Sequence, residues 1–384
     1  MGARRATAWD ALAPLADAAL WPRPLGFSYG RAAAEATAAG LARPLAMGLQ
    51  PTGLSRGGAV AFSLIGAMGL APDRRFVSVT APVADFAAWL AGPGRRFAPR
   101  TAARLLALSA PRPPWAGFAL DRPLVMGVVN VTPDSFSDGG RWFDAAQAIA
   151  HGRALAEAGA DILDIGGEST RPGAEPVSPE EEIRRIEPVV RELAASGAIV
   201  SIDTRRAAVM ERALAAGARI WNDISALAGD PDSLARAARH RVPVVLMHMR
   251  SEPRTMQRDP VYASPLVEVL DVLEARIAAC AGAGIAPERL AIDPGIGFGK
   301  RVPHNLELIA GIGAFHALGC PVVLGASRKS TIARVSRGEP AEERLPGSLA
   351  LGLFALGQGV QILRVHDVAE TRQALALWAA LTAS

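Results

Sequence analysis

Polar side chains crowd the ends of eight short apolar runs in this chain. The first run, Leu124–Val131, opens into Asn130-Val131-Thr132-Pro133-Asp134-Ser135-Phe136-Ser137-Asp138-Gly139-Gly140. That stretch offers a carboxamide, hydroxyls and carboxylates on a loop whose proline and paired glycines let it rearrange over a ligand. The second run ends in Asp164-Ile165-Gly166-Gly167-Glu168-Ser169-Thr170-Arg171-Pro172-Gly173. Asp164 and Glu168 need hydrogen-bonding partners if they face an interior, and Arg171, between Thr170 and Pro172, suits an anion clamp. The third and fourth runs end in Ser201-Ile202-Asp203-Thr204 and Trp221-Asn222-Asp223-Ile224. Asp203 and Asn222 can read the N–H groups and ring nitrogens of a heterocycle, or each can simply cap the helix that follows.

The fifth run gives Met247-His248-Met249, where His248 reads as a core residue rather than a base. The sixth gives Asp293-Pro294-Gly295-Ile296-Gly297-Phe298-Gly299-Lys300, which lacks the G-x-x-x-x-G-K-[ST] spacing of a nucleotide loop; Asp293 is its more informative residue. The seventh gives Gly325-Ala326-Ser327-Arg328-Lys329-Ser330, and the eighth Arg364-Val365-His366-Asp367. Arg364 and His366 are two apart on a strand and so point the same way, a guanidinium and an imidazole aimed at one anion. Of forty-one basic residues only Lys300 and Lys329 are lysines. A chain that uses arginine elsewhere keeps lysine where a compact ammonium cannot be replaced by a planar guanidinium. The residues therefore outline a pocket with two ends. Asp203, Asn222 and Asp293 with Lys329 form one, and Arg364 and His366, with Arg171, near Asn130 form the other, which suits a polar heterocycle carrying a diphosphate. Asn130 alone is a poor metal ligand, but Mg²⁺ can take most of its ligands from substrate phosphates.

Bringing eight run-ends together requires a particular scaffold. The strand signals are Leu124–Val131, Asp161–Ile165, Ala198–Ile202, Arg219–Ile224, Pro243–Met247, Leu290–Asp293, Pro321–Leu324 and Gln361–Val365. Helical periodicity fills the intervals at Ala145–Ala158, Pro179–Ala195, Ala207–Ala216, Ser233–Arg239, Ser264–Ala281, Asn305–Ala317 and Gly347–Leu356, and follows the last strand at Val368–Ala380. This alternation predicts an α/β protein with a (β/α)8 TIM barrel over 116–384, whose strand ends converge on one face. The prolines of Ala110-Pro111-Arg112-Pro113-Pro114-Trp115 mark its boundary. Residues 1–115 read as a smaller α/β extension, with a strand at Phe76–Thr80 and helices near Arg31–Ala42 and Val83–Leu90. No chemistry is visible in it, and a structural accessory on the barrel or its dimer is the expected role.

Half of the 384 residues are apolar, room for one domain of about 250 residues or more plus an appendage. Cys280 and Cys320 have no motif spacing, which excludes a disulfide framework or a zinc knuckle and points to a cytoplasmic protein. The longest apolar stretch, Gly57–Pro72, is broken by Ser63, Gly66 and Gly69 and is too short to span a membrane; Asp10 and Asp17 interrupt any secretory signal. The net charge of +4 is too weak to argue for nucleic acid. Residues 1–115 nevertheless carry thirteen Arg against five acids, an imbalance that could serve docking on the acidic barrel, a partner chain or RNA, or could be scattered solvated charge.

With these motifs in this order, the chain resembles the dihydropteroate synthases, folate-pathway enzymes inhibited by sulfonamides. The resemblance spans about 120–384. It rests on Gly127–Gly140, Gly166–Gly173, Ser327-Arg328-Lys329-Ser330 and Arg364-Val365-His366-Asp367-Val368. It implies condensation of 6-hydroxymethyl-7,8-dihydropterin diphosphate with 4-aminobenzoate. It further implies that Asp203, Asn222, Asp293 and Lys329 hold the pterin, with Met247 and Gly325 lining its slot and Arg364 over its face. Asn130, Arg171, Arg364 and His366 would bind diphosphate with Mg²⁺, Asn130 being the metal contact. Thr170, Arg171, Pro172, Phe298, Lys329 and Ser330 would shape the aminobenzoate pocket. Asn130, Asp134, Asp203, Lys329, Arg364 and His366 form the implied catalytic set, Asp134 stabilising a pterin-methylene cation. Loops 132–140 and 168–174 would exclude water, and a homodimer through barrel helices is implied. A pterin-binding methyltransferase would not need the Ser-Arg-Lys-Ser or Thr-Arg-Pro loops, and a silent paralogue should have lost Asp203, Lys329 or His366. The departure from the compact family pattern is residues 1–115.

Overall fold

The computed structural model describes residues 8–16, 19–45, 60–132, 145–169, 175–251 and 255–383. In the barrel the strands are β5 (Leu124–Asn130), β6 (Ile162–Gly166), β7 (Val200–Asp203), β8 (Ile220–Asp223), β9 (Val244–Met247), β10 (Leu290–Asp293), β11 (Val323–Leu324) and β12 (Ile362–Val365), numbered after the extension's β1 (Trp21–Tyr29), β2 (Arg43–Pro44), β3 (Val60–Leu70) and β4 (Phe76–Pro82). All eight barrel strands are parallel, in the order β10-β9-β8-β7-β6-β5-β12-β11, and a bridge between Ile292 and Val322 closes the ring. Helices follow the strands on the outside, as a right-handed strand–helix–strand chain requires. They are α4 (Ala145–Glu157), α5 (Pro179–Ala195), α6 (Ala207–Ala216), α7 (Ser233–His240), α8 (Pro265–Gly282), α9 (Val302–Ala310), α10 (Ser330–Val335), α11 (Leu345–Leu356) and α12 (Val368–Ala383).

The alternation of strand side chains decides what reaches the mouth. Leu124, Met126, Ile162, Ile220, Val245, Ala291, Val323 and Ile362 meet inside the ring, while Val125, Val129, Leu163, Ile165, Val244 and Leu246 join the core under the helices. Counting on by two from the inner set puts Asn130, Asp164, Asn222, Met247, Asp293, Gly325 and Arg364 on the inner face near the strands' C-terminal ends. The opposite end is sealed. Trp115 and Leu120 join the inner apolar cluster, and the Trp115 indole donates to Arg289 O at 3.0 Å. Trp115, placed with the extension by the proline boundary, is thus part of the barrel floor.

One expected helix is broken. Asn305–Ala317 reads as continuous, but α9 begins at Val302 and stops at Gly311, and Ile312–Leu318 continues as a 3-10 turn. A Cβ on Gly311 would stand 2.4 Å from Leu266 Cδ2, so α8 approaches closely at the break and a side chain there would have to displace Leu266.

The extension also contains α1 (Gly30–Ala38), α2 (Val83–Ala91) and α3 (Ala98–Ser109). Its antiparallel sheet has β1 on one side of β3, with β2 and β4 on the other. Its arginines dock on one acidic face of α8. Arg74 reaches Glu268 at 3.0 Å, the Trp21 indole donates to Asp271 at 2.8 Å, and Arg104 forks onto Glu274 at 2.8 and 2.9 Å. Arg104 also donates to Leu20 O at 2.7 Å and lies 3.4 Å from the Trp21 ring centre. Farther down, Arg23 donates to Ala310 O, Tyr29 to Gly357 O and Arg112 to His316 O. Of the uses open to the basic excess, docking on the barrel is the one these contacts serve. Among the described residues no helix is long and apolar enough to cross a membrane.

Candidate active site

Arg364, near the end of β12, organises the barrel mouth. Its Nε donates to Asp164 Oδ2 at 2.6 Å and its Nη2 to Asp203 Oδ2 at 2.8 Å. Asp164 is fully buried, and the same Oδ2 accepts the Asn222 amide at 2.9 Å. One carboxylate thus orients both a guanidinium and a carboxamide, and paired charges of this kind tolerate burial that either would resist alone. Asp203 and Asn222 are register partners on β7 and β8, as are Asp293 and Met247 on β10 and β9. Asp293 Oδ1 accepts the Gly295 amide at 2.6 Å. Gly325 leaves open the space between Asp293 and Arg364; a Cβ there would lie 3.5 Å from Asp293 Oδ2.

Charge in this pocket is displaced from its solution state. Burial pushes the Asp203 carboxyl above the ordinary carboxylate range; Arg364 opposes the rise and Asp164 adds to it. Burial also raises Asp293, against the pull of the Gly295 amide and Lys329. Lys329 is lowered to about 8 by burial and by Arg364. Its Nζ stands 4.2 Å from the centre of the Phe298 ring, a cation–π contact at the pocket edge. Ser330 begins α10 and is exposed.

His366 is bonded to Ser327 through both its backbone and its ring. Ser327 Oγ accepts the His366 backbone N–H at 3.2 Å and lies 3.0 Å from Nδ1. When the hydroxyl donates to Nδ1, the ring hydrogen lies on Nε2. Burial, then Arg364 and Arg328, hold the ring's pKa down to about 3, so it is neutral at pH 7. Arg328 itself sits at φ +57, a conformation costly outside glycine. It is held there by Asp367, with Nε to Oδ2 at 3.0 Å, and by backbone bonds from its N–H to Ser348 Oγ and to its carbonyl from Arg344.

Glu168, the second acid that needed a partner, has Arg205 and Arg206. Arg206 Nη2 donates to Glu168 Oε1 and to Val177 O, both at 2.8 Å, holding Glu168 beside Val177. Its Nη1 pairs with buried Glu182. Asp134, Thr170, Arg171 and Pro172 lie outside the described residues. Asn130 closes β5 half-buried at the mouth. Among the described residues no group of three His, Cys, Asp or Glu could hold a metal ion.

Of the inner acids, Asp164 is the one whose place in the site its residue type and spacing alone do not give: the sequence shows only that it needs a partner. Its signal was parity, two positions before Gly166 on the face that also carries Ile162. His248 is buried as expected, with Nδ1 turned to Lys300.

Residues 126–366 match the model of the pterin binding enzyme family. Over 269 residues the chain is 50% identical to dihydropteroate synthase of Neisseria meningitidis serogroup B, covering 68% of this chain and 94% of that protein. The Xanthomonas albilineans dihydropteroate synthase solved with 4-aminobenzoic acid is 49% identical, with a TM-score of 0.65, over 69% of this chain and 94% of that one. The same enzyme in complex with 7,8-dihydropteroate aligns at 47% identity and a TM-score of 0.63, over 69% and 95% of the two chains.

Proposed function

The chain belongs to the dihydropteroate synthase family of pterin-binding enzymes, and from that premise we propose how its barrel mouth joins a dihydropterin diphosphate to 4-aminobenzoate. The enzyme is a transferase of folate biosynthesis: the C–O bond to diphosphate breaks, a C–N bond to the aniline nitrogen forms, and that nitrogen gives up one proton. The observation that carries the assignment of residues is the convergence of Asp164, Asp203, Asn222 and Arg364 in one hydrogen-bonded group. Asp203, Asn222 and Asp293 present acceptors and an amide to the N–H edge of the pterin, with Met247 as the apolar wall and Gly325 as the gap beside Asp293. Burial makes these bonds count for more than they would in water.

Arg364 and the Nε2–H of His366 face the diphosphate and take up charge as it leaves. The pterin ring itself stabilises the methylene cation, so no strong base is required, and the neutral aniline attacks unaided. Lys329 stands between the two substrates, its ammonium over the Phe298 ring that flanks the aminobenzoate and within reach of the pterin, with Ser330 at the rim. Asp134, Thr170, Arg171 and Pro172 keep the roles that the family resemblance assigns them.

A Mg²⁺ fits only in one manner. Asn130 offers a single neutral oxygen, so an ion here would take its other ligands from diphosphate and water. When bound, it would supply charge neutralisation for the leaving diphosphate. A second copy of the chain is the proposed partner. Helix α11 is apolar around its circumference yet mostly half-buried, with Phe354 exposed, and Leu377 and Leu381 stand out on α12. Exposed apolar surface of this kind supports a homodimer. The two buried free thiols, Cys280 and Cys320, support a cytoplasmic setting. The test is direct: with both substrates and Mg²⁺ the full chain should form dihydropteroate and diphosphate in equal amounts. Absence of condensation with soluble, folded protein overturns the reading.

A further inference from the structure

Lys300, the second of the two lysines, is absent from every role above, yet it is only 2% exposed. Its Nζ lies 2.9 Å from Gly295 O, 3.0 Å from Phe298 O, 3.2 Å from His248 O and 2.9 Å from His248 Nδ1. An ammonium has three hydrogens and no acceptor, so it gathers acceptors around a point. The loop from β10 to α9 is wound about that point. Gly295 takes φ +69, and a Cβ there would stand 1.9 Å from His248 O, so this turn admits only glycine. Outside the ring of acceptors, Asn305 Oδ1 accepts Gly297 N–H at 2.8 Å, Gln257 donates to Gly297 O at 2.6 Å and Tyr262 to Gly299 O at 2.9 Å. A planar guanidinium cannot converge on such a cluster, which accounts for lysine in a chain otherwise built with arginine.

The loop carries Phe298. Its carbonyl is held by Lys300 and its ring faces Lys329 Nζ at 4.2 Å. We propose that Lys300 is a positioning residue for the aminobenzoate pocket: by gathering the carbonyls of His248, Gly295 and Phe298, its ammonium sets the Phe298 ring against Lys329. The proposal rests on the reading of the site given above, in which Phe298 and Lys329 flank the aminobenzoate.

The experiment is a double-mutant cycle in the full chain, with Lys300→Met, Phe298→Ala and the pair, each assayed with Mg²⁺ and both substrates. Lys300→Met should raise KM for 4-aminobenzoate about tenfold or more, because misplacing a contact by an ångström is costly. The dissociation constant for the pterin diphosphate should rise by less than about threefold, since of its contacts only Asp293, bonded to the Gly295 amide, and Met247, beside His248, border the loop. Added to Phe298→Ala, Lys300→Met should change KM by less than about twofold, because residues acting through one contact are not additive. Hydrogen exchange of the peptide over 294–300 should quicken in Lys300→Met. An unchanged KM, effects that multiply in the pair, or equal loss of pterin binding overturns the proposal. If Lys300→Met does not fold, Lys300→Gln, which keeps two donors, takes its place; if neither folds, the lysine is a purely structural hub and the proposal falls. Failure of the wild-type chain to condense the substrates would instead sink the synthase reading, and the exchange comparison would still decide whether Lys300 holds the loop.

Discussion

Replacing Asp164 by asparagine separates charge from shape at the centre of the site. Both donors that Asp164 accepts, Arg364 Nε at 2.6 Å and the Asn222 amide at 2.9 Å, use Oδ2, while buried Oδ1 has no hydrogen-bond partner. An asparagine can therefore keep its oxygen at the Oδ2 position and put its NH₂ where Oδ1 stands, preserving the geometry. The change makes the Asn222 bond neutral and removes the ion pair from the Arg364 bond, about 1 kcal/mol for each, so the expected loss is about 2 kcal/mol. In steady-state assays that is a drop of roughly thirtyfold in kcat/KM for the pterin diphosphate. KM for 4-aminobenzoate should move little, because that pocket lies on the Lys329 and Phe298 side. Thermal stability should fall as well, since the new NH₂ brings two donors to the buried place where Oδ1 had no partner. A kcat/KM within about threefold of wild type would refute the argument that Asp164 holds Arg364 and Asn222 in their working orientation.

Other consequences can be checked alongside. Arg104→Met removes the fork to Glu274, the bond to Leu20 O and the contact with Trp21. With Glu274 one-third exposed and able to find water, the loss should be about 3 kcal/mol in urea unfolding of the full chain; a loss below about 1 kcal/mol would mean the extension is not integral to the barrel. His316 is fully buried and its pKa is lowered from 6.5 to about 3 by burial and by Arg112. The unfolded chain gains a proton there that the folded chain refuses. The stability is therefore complete above pH 6.5 and is lost as pH falls from 6.5 toward 3, by about 1.4 kcal/mol per unit relative to His316→Gln. Parallel wild-type and variant stability curves below pH 6 would contradict this sign. Lys329, lowered to about 8, should lose its ammonium above that pH, so kcat/KM for the pterin diphosphate should fall about tenfold per unit beyond it. A profile flat to about pH 10 would exclude a working charge on Lys329.

The barrel was legible because its strands are continuous apolar runs and its site residues follow them at fixed parity. The extension was not, for local reasons. Strand β1 carries Pro22 and Pro24, which argue against a strand; both are tolerated because β1 lies at the edge, paired only with β3. Helix α3 buries Thr101, Arg104, Leu105 and Leu108, a helical spacing of i, i+3, i+4 and i+7 in which two of the four positions are polar. Its periodicity is disguised because Arg104 is a docking residue whose carboxylate partner, Glu274, lies on α8, far away in sequence. Asp164 and Lys300 were legible as anomalies, an acid and an ammonium beside apolar runs. Their partners, Arg364 and the carbonyls around 295–298, needed the fold.

The most direct test of the account follows diphosphate release and dihydropteroate formation together, with and without 4-aminobenzoate, in the full chain and in Lys329→Ala. The account predicts equal amounts of both products in the wild type and loss of condensation in the variant. Undiminished condensation in Lys329→Ala, or tight pterin binding with no condensation in the wild type, would contradict it.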